Sequence, residues 1–104
     1  MKLTDFYREI LSEREPISFL TGFWINNPTA WNCAHVLAKG QNKYPKFKFY
    51  KKNVVLLTEY EHQLYDQGTI AQRQQYAEYC QQNGTKCNWQ KLFDLVEELK
   101  KEYK

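Results

Sequence analysis

The chain has 104 residues, 42% of them hydrophobic and 16% aromatic, enough for one packed domain with a small core. No apolar run approaches the roughly 20 residues of a membrane-spanning helix, and acids interrupt the opening MKLTDFYREILSERE, so neither a membrane partner nor a secretory signal is expected. Three cysteines, Cys33, Cys80 and Cys87, lack CxxC spacing; this argues against a disulfide framework and for a reducing, cytoplasmic setting, with a Cys80–Cys87 bridge left open.

In chain order, Leu3, Phe6, Tyr7, Ile10 and Leu11 recur at helical spacing, so an amphipathic helix is expected over about 3–13, ended by Glu15-Pro16. ISFLTGFWI is short and aromatic, with Gly22 inside it, and reads as a hairpin-like turn; NNPTA reads as a loop. WNCAHVL reads as a strand, AKGQNKYPKFKFYKKN as a long extended loop, and VVLL as a short buried strand. Thr58 is placed to cap a helix over TEYEHQLYD that Gly68 closes. Thr69 caps a third helix to about Gln82, on which Gln72, Arg73, Gln74 and Gln75 read as a polar face rather than a DNA contact. Asn88 caps a last helix with a stripe of Leu92, Val96, Leu99 and Tyr103.

The net charge of +3 is unevenly spread. From Pro16 to Thr58 there is no Asp or Glu, while Lys39, Lys43, Lys46, Lys48, Lys51 and Lys52 contribute six positive charges among Tyr44, Phe47, Phe49 and Tyr50. A cationic, aromatic segment of this kind suits a polyanion as well as it suits a solvated loop.

The middle of the chain carries the chemistry. A strand ends at His35, a loop follows, a second strand begins after Asn53, and a helix then carries His62, which sets His, Asn and His at three corners of a β–loop–β–α order. In this order, and in the phrases AHVLAKG, YPKFKFYKKNVVLLT and EYEHQLYDQGT, the chain resembles the small HNH endonucleases with their ββα-metal motif. The resemblance covers about a third of the chain. It implies an α+β fold: a small ββα-metal core over about 31–67, with an N-terminal helix and two C-terminal helices, in a single domain over 1–104. It implies a metal-dependent nuclease that hydrolyses phosphodiester bonds in double-stranded DNA, in a bacterium or a phage-infected host. His35 would be the general base, since its unperturbed pKa of about 6.5 lies near operating pH. Asn53 would hold the loop and the base, and His62 would ligate a divalent ion, Mg²⁺ or Mn²⁺ before Zn²⁺. Asp66 stands one helical turn from His62 and completes a pair of donors. The six lysines would lie along the phosphate backbone. The other reading is an HNH domain that has lost catalysis and binds nucleic acid or a protein.

Two departures from the family stand out. Many relatives hold a structural zinc with two CxxC pairs, and the matching positions here are Ser18, Thr21, Thr58 and Glu61. Hydroxyls are poor zinc ligands, so no structural zinc is expected, and packing of Phe19, Leu20, Phe23, Trp24 and Ile25 is expected in its place. The residue before the general base is often a ligating Asp or His in the family; here it is Ala34, which thins the metal shell.

Overall fold

The computed structural model describes residues 1–38 and 43–103. Its elements are α1 (Leu3–Glu13), β1 (Cys33–His35), β2 (Val54–Leu56), α2 (Glu59–Gln67), α3 (Ile70–Gln82) and α4 (Trp89–Glu102). The fold is α+β: the two strands pair antiparallel, with Cys33 opposite Leu56, Ala34 opposite Val55 and His35 opposite Val54.

Alternation along these strands divides the core in two. Cys33, Val54 and Leu56 face α1 and pack on Phe6 and Ile10. Ala34, Val55 and Leu57 face the other way and pack on Leu20 and on Leu92 and Leu99 of α4. The hairpin is therefore the middle layer between two helices, buried on both sides. Each fully buried Leu, Ile or Phe contributes about 1.5–3 kcal/mol, so two short strands suffice where each face has a helical cover.

The first strand is shorter than the apolar run predicts. Thr29 and Asn32 form a reciprocal capping box that winds Ala30–Asn32 into a 3-10 turn, so pairing starts only at Cys33. At the other end, the Asn53 side chain captures the backbone of Leu37 and bends the chain away after His35. The lysine loop is less extended than expected, with 3-10 turns at Pro45–Phe47 and Lys51–Asn53. The turn at ISFLTGFWI closes with an antiparallel bridge between Ile17 and Trp24, and Gly22 sits there at φ 76°.

Thr58 caps α2 and Thr69 caps α3, each in a full capping box, and Asn88 caps α4. Gly68 does close α2, but with an ordinary φ of −77°. What requires glycine there is space, because a Cβ would lie 2.5 Å from the Leu64 carbonyl oxygen. All three cysteines are free thiols. No described helix is long and apolar enough to cross a membrane.

Candidate functional site

His35 ends β1 on the α1 side, and His62 and Asp66 lie one turn apart on α2. All three border one cleft of about 710 Å³ together with Tyr7, Tyr65 and Arg73.

The partners of each ring fix its chemistry. His35 Nε2 lies 2.8 Å from the Lys48 carbonyl oxygen, which can only accept, so Nε2 carries the hydrogen. The lone pair is then on Nδ1, where the Tyr7 hydroxyl donates to it over a long 3.3 Å. The ring also packs edge-on against Tyr7, at 5.8 Å between centroids. His62 Nδ1 lies 2.7 Å from the Trp31 carbonyl oxygen, so its hydrogen is on Nδ1 and its lone pair on Nε2. That nitrogen faces Asp66 Oδ2 at 3.2 Å. A neutral imidazole lone pair and a carboxylate oxygen repel each other at this distance unless a proton or a cation sits between them. The pair therefore fits a divalent ion as two donors; among the described residues no group of three His, Cys, Asp or Glu forms around it.

Asn53 is fully buried. Its Oδ1 accepts from the Leu37 backbone N–H at 2.8 Å, and its Nδ2 donates to the carbonyls of Leu37 and Phe47. It ties the two ends of the lysine loop to each other and borders no part of the cleft. Its place is behind the strand end that carries His35.

Ala34 does not stand beside His35 toward a metal. It is 0% exposed, on the opposite strand face, and the cleft does not reach it. The thin donor set is therefore not repairable at this position.

The four positions matched to zinc ligands do converge, around a carboxylate. Glu61 is 0% exposed. Its Oε1 accepts from Ser18 Oγ at 2.6 Å and from the Thr58 backbone N–H at 3.0 Å. Its Oε2 accepts from Thr21 Oγ1 at 2.9 Å and from the Tyr76 hydroxyl at 2.7 Å. Four donors meet the acceptor capacity of one ionised carboxylate, and those oxygens and hydroxyls do not suit a structural zinc. Tyr76 holds its proton far above the usual tyrosine range, through burial first and then its bond to Glu61. Hydrogen bonding fills this point, while of the expected apolar residues Leu20 and Ile25 are buried in the two core clusters, Phe19 packs against the first, and Trp24 is 66% exposed. The Thr58-x-x-Glu61 capping box was visible in the sequence, but nothing there marked Tyr76 as a further donor.

The lysine segment is also less free than its sequence suggests. Lys51 Nζ pairs with Glu9 at 2.9 Å and Glu13 at 2.8 Å on α1, and Lys52 Nζ with Glu98 at 2.9 Å and Glu102 at 2.6 Å on α4. These carboxylates, remote in sequence, hold both ammonium groups protonated beyond the usual lysine range. Lys43, Lys46 and Lys48 enter none of the ion pairs among the described residues, while Lys46 lies over the Tyr103 ring and Lys48 over Phe49. Lys39 lies outside the described residues. Sequence reasoning missed Tyr7 and Tyr65 at the cleft: Tyr7 read as a member of the apolar face of the first helix, and nothing in the sequence singled out Tyr65.

Compared with protein-family models, curated proteins and solved structures, the chain matches none.

Proposed function

We propose that the protein is a metal-dependent endonuclease of the HNH type acting on DNA. The observation that carries this reading is the meeting of His35, His62 and Asp66, from a strand end and a helix, on one cleft. The convergence of Ser18, Thr21, Thr58 and Glu61 supports it too, because a zinc-bearing relative needs those four positions at one point.

In this reading the Lys48 carbonyl orients His35, and the hydrogen bond it accepts raises the basicity of Nδ1. Nδ1 takes the proton of an attacking water, which competes with the long bond from Tyr7. Trp31 holds the His62 ring so that Nε2, with Asp66, is presented as a ligand pair. His62 and Asp66 would hold a divalent ion there, and it would supply positive charge to the scissile phosphate. Asn53 keeps the strand end and the loop in register, and among the described residues of the segment Lys43, Lys46 and Lys48 are the cations left to follow the backbone.

A second reading has its own observation. Both ring nitrogens of His35 are engaged inside the chain, as in a module that binds DNA without cutting it. Incubating supercoiled plasmid with wild type and His35→Gln, in Mg²⁺, Mn²⁺ or Zn²⁺ and in EDTA, separates the two. Metal-dependent nicking or cutting by wild type, lost in the variant, is expected; an intact plasmid in every metal overturns the nuclease reading.

A further inference from the structure

We infer that Arg73 is an oxyanion-binding residue of the cleft, built to hold a phosphodiester beside His62 and Asp66. The inference rests on the proposed function for the identity of its ligand. Its guanidinium is fixed on three sides. Nε donates to the Leu64 carbonyl and Nη2 to the Tyr65 carbonyl, each at 3.1 Å, in the last turn of α2. The guanidinium carbon lies 5.8 Å from the Trp89 ring centroid and 5.6 Å from that of Phe93, both on α4. Trp89 Nε1 donates in turn to the Arg73 carbonyl at 3.1 Å.

A guanidinium has five N–H donors. Two are used here, which leaves both on Nη1 and one on Nη2. Arg73 enters none of the ion pairs among the described residues; Asp66 borders the same cleft yet is not within 4.0 Å of it. Among the described lining residues Arg73 is the one Lys or Arg, and the lining also includes the apolar Leu3, Val36 and Phe93, the last in contact with Arg73. An unneutralised, immobilised, planar cation against apolar walls loses little entropy on binding and is weakly screened. Its free donors match two oxygens of a tetrahedral phosphate, and Arg favours such paired recognition over a point charge.

The test uses the three arginines of the chain, Arg8, Arg14 and Arg73, as reporters. The ¹⁵N–¹H resonances of their Nε groups are followed in EDTA while inorganic phosphate, and then the dinucleotide dTpdT, is added; Arg73→Lys assigns the Arg73 signal. A saturable shift of Arg73, with Arg8 and Arg14 still, is expected, and Arg73→Lys lowers cleavage efficiency about 10- to 100-fold with the fold retained. Equal shifts of all three arginines, no shift at Arg73, or full cleavage by Arg73→Lys overturns the inference. If the variant fails to fold, the wild-type titration still decides, with the signal assigned through backbone connectivity. The titration needs neither metal nor cleavage, so an uncut plasmid with a shifting Arg73 rejects the nuclease alone, and cutting with a silent Arg73 rejects the phosphate site alone.

Discussion

Glu61 and His62 are neighbours on α2 and live in opposite circumstances. Glu61 has four donors on two oxygens and no exposure. His62 spends one nitrogen on a backbone carbonyl and turns the other to a half-exposed Asp66 across an open cleft. A group whose hydrogen-bonding capacity is filled from within has only stability left to contribute. A group with capacity in reserve, held in place by the rest, is what binding and catalysis need. One helix supplies both because adjacent residues point in different directions.

The largest losses are expected on the closed side. Glu61→Ala strands three hydroxyls and a backbone N–H, and should cost about 3–5 kcal/mol in urea unfolding. Ala34→Asp places an unpaired charge in the same interior and should unfold the protein rather than add a metal ligand. A loss below about 1 kcal/mol for Glu61→Ala would mean that the cluster is not structural. On the open side the pattern inverts. His62→Ala and Asp66→Asn should change stability by about 1 kcal/mol or less, yet weaken Mn²⁺ binding measured by electron paramagnetic resonance and reduce cleavage at least about 100-fold. Stability loss equal to that of Glu61→Ala would erase the contrast.

Alkaline pH probes the cleft directly. Burial, the main cause for each, pushes the Tyr7 and Tyr65 hydroxyls up to about 12 and the Cys33 thiol up to about 11. A raised folded pKa gives stability that is present below the unfolded value and lost as pH climbs through the folded one. Unfolding free energy should therefore be level toward pH 9 and fall between about 9 and 12. Tyr65→Phe should flatten part of that fall; an unchanged alkaline limb would place the tyrosines in water. The smallest effect concerns DNA affinity. With Lys51 and Lys52 paired, contacts from Lys43, Lys46 and Lys48, the remaining lysines of the segment among the described residues, would give a log–log salt slope of roughly −3 in the proposed DNA complex, against about −5 for six contacts. Lys46→Ala with Lys48→Ala should remove about two units of that slope, and a slope that also drops with Lys51→Ala would return the paired lysines to the interface.

Much of the helical architecture could be read locally. Thr58, Thr69 and Asn88 act within three residues of themselves, so the starts of α2, α3 and α4 were legible. The first strand is shorter than its apolar run because Thr29 and Asn32 compete for the backbone at one end and Asn53 at the other, and the second of these acts from a distance. Strand alternation alone put Ala34 opposite His35; the analogy with a ligand at that position outweighed it. Charge misled for a related reason. A segment empty of carboxylates says nothing about carboxylates that return to it, and Glu9, Glu13, Glu98 and Glu102 do so. The role of Glu61 was not legible because its partners Ser18, Thr21 and Tyr76 are common polar residues whose convergence leaves no pattern in sequence.

The cluster around Glu61 is assembled from hydroxyls, an amide and a carboxylate, none of which is oxidised by peroxide or exchanged by a chelator. A thiolate-bound metal at the same point would tie the fold to the redox state of its surroundings. Here the joint between the turn after α1 and the start of α2 is held by oxygen and nitrogen donors, with the Cys80 thiol beyond them against the Tyr76 hydroxyl. The Glu61 cluster itself therefore gives a chelator nothing to remove, and any fall in melting temperature with EDTA would report an ion held elsewhere.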